Sequence, residues 1–172
     1  MENLKGSWAL VTGASSGIGK EYARQLSQLG QNVIIVARRE ERLKDLKKEL
    51  MEKYHNQVEY FVADLTKSEA CKEVYDFAVQ NNRKVQMVIN NAGAGSYGPF
   101  LDYTLEDHLK TVDLNIVSLT KLTYLFIAHM KQHRLSSFIT NIASIASYLA
   151  VPQFGVYTGS KKYVRDLTET LA

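Results

Sequence analysis

Tyr157 and Lys161 stand four residues apart, a spacing that puts both side chains on one face of a helix. A free phenol, with a pKa of about 10, is a poor base at neutral pH. An ammonium beside it favours the phenolate. Such a pair can give a proton to a carbonyl oxygen or take one from an alcohol. Ser144 follows a short apolar run and can hydrogen-bond the same oxygen. Each residue also has a plainer reading, since Tyr157 is one of ten tyrosines and Ser144 one of several loop serines. The joint spacing carries the chemical reading.

A second group lies near the N-terminus. Thr12-Gly13-Ala14-Ser15-Ser16-Gly17-Ile18-Gly19 joins an apolar run to a helical one. Gly13 permits a tight turn, Gly17 lets backbone approach a pyrophosphate, and Gly19 lets the helix pack close to the sheet. Gly13, Ser15, Ser16, Gly17, Ile18 and Gly19 are therefore expected to hold a dinucleotide. A nucleoside-triphosphate loop would need glycine at position 14 and Ser or Thr at position 21, where Ala14 and Glu21 stand. The second apolar run ends in Ala37-Arg38-Arg39. An NAD-binding fold places a carboxylate there for the ribose hydroxyls. Ala37 cannot serve, whereas Arg38 and Arg39 can pair with a 2′-phosphate, so NADP(H) is the expected cofactor. The alternative is that both arginines are solvated helix-start residues, a place the helix dipole does not favour for them.

These groups must be held by alternating elements. Strands are expected at Trp8–Val11, Val33–Val36, Val58–Ala63, Val85–Ile89 and Phe138–Ile142. Helices are expected over Gly17–Leu29, through Leu43, Leu46, Leu50 and Tyr54, over Ser68–Asn81, from Thr104 to about His133, and from Phe154 to Ala172. Gly30 should stop the first helix, and Thr104-Leu105-Glu106-Asp107 should cap the fourth. Short apolar strands alternating with helices predict an α/β, doubly wound parallel sheet with ligands at the carboxyl ends of its strands.

The motifs resemble those of the short-chain dehydrogenase/reductase family, over essentially the whole chain. Thr12-Gly13-x-x-x-Gly17-x-Gly19 is similar to its cofactor turn, and Asn90-Asn91-Ala92-Gly93 to its motif after the fourth strand. Asn115, Ser144, Tyr157 and Lys161 match its catalytic tetrad. The resemblance implies a Rossmann domain that moves hydride between a nicotinamide cofactor and a small-molecule carbonyl or secondary alcohol. It further implies that Asp64 and Leu65 contact adenine and that Asn91, Ala92 and Gly93 border the cofactor. It implies too that Lys161 holds the nicotinamide ribose and that Asn115 orders a water in a proton relay. Ser147 stands where the family usually has Gly, and Ala143 where it often has Ser.

Bulk properties exclude other classes. A net charge of +3 spread among mixed signs gives no nucleic-acid stripe. The single cysteine, Cys71, fits a reducing compartment and is read as helix filler. His55, His108, His129 and His133 show no metal-ligand spacing and are read as helix-surface or helix-end residues. Met87 and Met130 are read as core. Leu114–Met130 is apolar but interrupted by polar residues, so a deeply buried helix is expected rather than a membrane span. Met1–Gly6 carries no signal-peptide pattern, and a cytoplasmic location is expected.

One domain over residues 1–172 is expected. By the resemblance the chain stops within the helix carrying Tyr157. Family members continue with two strands, a Pro-Gly turn on the nicotinamide and a substrate-covering segment. Val164, Leu167 and Leu171 run to the end without a stop signal. Two functions therefore compete: a hydride-transferring oxidoreductase, and a nucleotide-binding or interaction module without turnover. The chain alone is expected to turn over weakly, because water would reach the nicotinamide. The helix to His133 is thinly charged in its middle, and by resemblance it joins the Tyr157 helix in a homodimer or homotetramer interface.

Overall fold

The computed structural model describes residues 4–172, so Met1, Glu2 and Asn3 of the Met1–Gly6 stretch lie outside the described residues. Five parallel strands form one sheet in the order β3-β2-β1-β4-β5. They are β1 (Trp8–Thr12), β2 (Asn32–Ala37), β3 (Val58–Val62), β4 (Val85–Asn90) and β5 (Phe138–Asn141). The chain steps outward from β1 to β3, then returns to the other side of β1 for β4. The strand order thus reverses between β1 and β4, where doubly wound sheets leave a crevice at their carboxyl ends.

Alternation along the strands builds two cores. Ala9, Val11, Val33 and Ile35 face α1 (Gly17–Gln28) and α2 (Glu40–Tyr54), meeting Ala23, Leu26, Leu43, Leu46 and Leu50. Leu10, Ile34, Val36 and Val88 face the opposite side, with Cys71 and Val74 of α3 (Ala70–Val79) and with Leu122 and Phe126. Cys71 is buried filler, as expected, and Met87 and Met130 pack on the two cores. Each fully buried Leu or Val stabilises the fold by about 1.5–3 kcal/mol, which makes these alternating strands the rigid base of the crevice.

Local signals act as read. Gly30, at φ +81°, ends α1: its N–H donates to Ser27 O and the Gln31 N–H to Leu26 O, satisfying two orphan carbonyls. Thr104 and Asp107 form a reciprocal capping box. The helix they open differs from expectation in two ways. It consists of α4 (Leu105–Val112), a π-helical turn (Asp113–Ser118) and α5 (Leu119–His133). It is also only partly buried. Leu119, Leu122 and Phe126 face the sheet, while Leu105, Leu109, Val117 and Tyr124 are exposed. By length and composition it could cross a membrane, with a mean hydropathy of 1.2, although one flank rests on the sheet.

His133 ends α5 as read, but two histidines make contacts the sequence did not suggest. His129 and His133 turn inward onto the start of β4, where Val85 N–H donates to His129 Nε2 at 3.2 Å and His133 Nε2 lies 3.3 Å from Val85 O. They supply partners for a strand end that would otherwise be unpaired. The last helix, α6 (Gly155–Leu171), packs against α4 and the π turn, and Tyr163 Oη meets Thr120 Oγ1 at 2.8 Å.

Candidate active site

The β1–α1 turn is stitched to the end of β4. Thr12 Oγ1 accepts from the N–H groups of Asn91 and Ala92, both at 3.0 Å, and donates to Ile89 O. The Asn91 amide donates back to Thr12 O at 3.0 Å. Gly13, at φ +66°, leaves no room for a side chain: a Cβ there would lie 2.7 Å from Asn91 Nδ2. A Cβ on Gly19 would meet Gly13 O at 2.6 Å, so α1 begins as close to the turn as glycine allows. Around Gly17 a Cβ would meet nothing within 4 Å, and the backbone there faces open space.

That space is a cleft of about 460 Å³. It is bordered by Gly13, Ser15, Ser16, Gly17 and Ile18 from the turn, Arg38 and Arg39 after β2, Asp64 and Leu65 after β3, and Asn91, Ala92 and Gly93 after β4. Residues assigned to a cofactor from four separate stretches of sequence therefore meet at one place. Arg39 precedes α2 and turns its guanidinium back across the cleft, donating from Nη2 to Ser15 Oγ and Ser16 Oγ, each at 2.8 Å. Asp64 accepts from Thr66 N–H and Oγ1 at 3.1 and 2.8 Å. Burial acts to raise its carboxyl pKa, but the Thr66 hydrogen bonds and the charges of Arg38 and Lys67 outweigh that and hold it below the ordinary value.

The second pole lies beyond Gly93. Lys161 on α6 is only 5% exposed, and its ammonium donates to Ile142 O at 2.7 Å. Burial pushes it below the ordinary lysine range. Gly93 keeps this wall thin, since a Cβ there would lie 3.3 Å from Asn115 Oδ1 and 3.4 Å from Lys161 Nζ. Tyr157 shares the helix face, with the ammonium 5.7 Å from its ring centroid. Asn115, within the π turn, is tied to protein at both ends of its amide: Oδ1 accepts from Ala94 N–H, and Nδ2 donates to Ala94 O and Ser160 Oγ, all within 2.8–2.9 Å. Its side chain thus clamps the loop after β4 to α6.

Ser144 is the least converged member. Its hydroxyl accepts from Ala146 N–H at 3.2 Å, capping a short turn, and among the described residues no hydrogen bond joins it to Tyr157. Ser147, in a family glycine position, is buried and donates to Ser144 O at 2.6 Å. Sequence reasoning assigned no role to Thr12 or Ser160. Ser160 Oγ also donates to Tyr157 O at 2.7 Å, and a serine inside a helix next to Lys161 was the only signal for it. Among the described residues no three His, Cys, Asp or Glu side chains gather as a metal site.

Sheet, switch point and basic cleft together define a nucleotide-binding, doubly wound domain. The family model for short chain dehydrogenases matches residues 7–172, and the chain belongs to that family. It is 34% identical over 168 residues to a very-long-chain 3-oxoacyl-CoA reductase of Anas platyrhynchos, covering 92% of this chain and 52% of that protein. A short-chain dehydrogenase of Sphingobium yanoikuyae in complex with NADPH superposes with a TM-score of 0.90 at 31% identity, covering 96% of this chain and 64% of that one. A family member from Burkholderia phymatum in complex with NAD gives 0.93 at 28% identity, covering 99% and 60%. The chain spans about half the length of the curated relatives it matches.

Proposed function

We propose that the protein transfers hydride between NADP(H) and a carbonyl or secondary alcohol, using Tyr157, Lys161, Ser144 and Asn115. The observation that carries this reading is the buried Lys161 ammonium, held between Gly93, Ile142 and the Tyr157 ring at the end of a basic cleft. A lysine buried without a carboxylate partner is costly for folding and is expected where chemistry needs it. The cleft suits the cofactor: it has backbone open at Gly17, two arginines at the ribose end, and no carboxylate directly after β2.

The roles follow from placement. The turn and α1 N-terminus would hold the pyrophosphate, and Arg39 with Ser15 and Ser16 the 2′-phosphate. Asp64 and Leu65 would border the adenine, and Lys161 the nicotinamide ribose. NADP(H), when bound, supplies or takes up the hydride. In reduction the Tyr157 hydroxyl gives a proton to the substrate oxygen, and in oxidation it takes one back. Ser144 would hydrogen-bond the reacting oxygen after its turn relaxes. Asn115 fixes the loop after β4 and α6 against each other.

NADPH-dependent turnover of a panel of carbonyl compounds tests the reading. Absorbance loss at the nicotinamide band with at least one ketone or aldehyde is expected. Cofactor binding without any turnover by the protein would leave it a nucleotide-binding module. We also propose that the exposed stripe Leu105, Leu109, Val117 and Tyr124 joins copies of the chain in a homodimer or homotetramer.

A further inference from the structure

We infer that Gly95 is a positioning residue that sets where the Tyr157 ring stands, with Phe154 as the second contact that holds it. The inference rests on the proposed catalytic role of Tyr157.

Four observations carry it. A Cβ built on Gly95 would lie 2.8 Å from both Cβ and Cγ of Tyr157 and would overlap Cδ2, so the ring root occupies space that only a glycine leaves. Gly95 is not among the residues at positive φ, so its backbone would accept alanine, and the contact with Tyr157 is what demands glycine. Phe154 stacks on the same ring, with centroids 4.2 Å apart and planes 16° apart, and Tyr97 meets Phe154 edge-on at 5.9 Å. Finally, neither side can retreat easily. Ala94, the preceding residue, is held at N and O by Asn115, and Gly98 N–H donates to Gln153 O at 2.9 Å across the two loops.

An added methyl at position 95 must therefore displace the ring rather than the loop. The Tyr157 hydroxyl lies at the ring's far end, so a small rotation at the root moves the proton donor away from Lys161 and the substrate oxygen. Misplacement of a reacting group by about 1 Å can cost about 100-fold in rate. Gly95 itself does not border the cofactor cleft, so an added methyl leaves the turn and the arginines that line it in place.

The test compares Gly95→Ala with Gly159→Ala, a glycine on the exposed face of the helix that carries Tyr157, whose added Cβ meets nothing within 4 Å. Gly95→Ala is expected to lower kcat by about 10- to 100-fold while leaving the Kd for NADPH within about twofold. Gly159→Ala is expected to change neither. A crystal structure of Gly95→Ala should show the Tyr157 ring displaced against Phe154. Full kcat in Gly95→Ala, or an unmoved ring in its crystal structure, overturns the inference. Turnover that survives Tyr157→Phe would instead overturn the catalytic reading, while the displaced ring would still report on the contact.

Discussion

Arg39 reaches back from the start of α2 to Ser15 in the β1–α1 turn, with Nη2 2.8 Å from Oγ. On the proposed function, this guanidinium is the group that pairs with the 2′-phosphate of NADP(H). Arg39→Asp should weaken NADPH binding by about 1.5–3 kcal/mol, the worth of a hydrogen bond to a charged group. It should leave NADH binding unchanged or tighter. Dissociation constants for both cofactors at one stated salt concentration check this, and equal affinities in the unaltered protein would contradict it.

Lys161 links the site to stability. Its pKa in the fold lies below the unfolded value of 10.5 because burial disfavours the charge. The unfolded chain therefore binds the proton more tightly, so stability is full above the unfolded value and is reduced as pH falls toward the folded one. Lys161→Met should raise the Tm at pH 7, by a stabilisation of about 1 kcal/mol, and abolish turnover. The gain should shrink as pH rises toward 10.5. A lower Tm at pH 7 would show that the Ile142 contact outweighs the burial cost.

His129 gives the opposite end of the pH range. Burial, and then the neighbouring His133, lower its pKa from 6.5. Its Nε2 must stay unprotonated to accept from Val85 N–H. Stability from this contact is full above pH 6.5 and falls as pH drops toward the lowered value. His129→Gln, whose amide oxygen can still accept, should flatten the acid slope of urea stability by about 1 kcal/mol. An unchanged slope would remove His129 from the acid response.

The exposed apolar stripe on α4 and α5 predicts assembly. Leu109→Glu combined with Tyr124→Glu should convert an oligomer to a monomer by light scattering, with the circular dichroism spectrum retained. A monomer mass for the unaltered protein at micromolar concentration would refute the proposal.

The sequence was most informative where a local rule suffices. Ala9 and Val11 alternate with Leu10 onto opposite cores, and Gly30 ends α1 with the bonds its position implies. The cofactor turn was legible because Gly13 and Gly19 answer to steric demands visible in spacing. The π turn was not, because one extra residue per turn leaves the apolar spacing of Leu105–His133 nearly helical. The inward turn of His129 depends on where β4 starts, a tertiary fact. Gly95 was silent for the same reason: its need for glycine comes from a ring more than sixty residues along the chain.

The central claim is proton transfer by Tyr157, and Tyr157→Phe tests it most directly. Phenylalanine keeps the ring against Gly95 and Phe154 and removes only the hydroxyl. Loss of a general acid–base group should lower kcat by about 100- to 10,000-fold with the NADPH Kd within about twofold. Single-turnover NADPH oxidation, measured beside the binding constant for both proteins, reads the two effects separately. The account predicts lost hydride transfer with retained cofactor binding, and hydride transfer at the unaltered rate in Tyr157→Phe would contradict it.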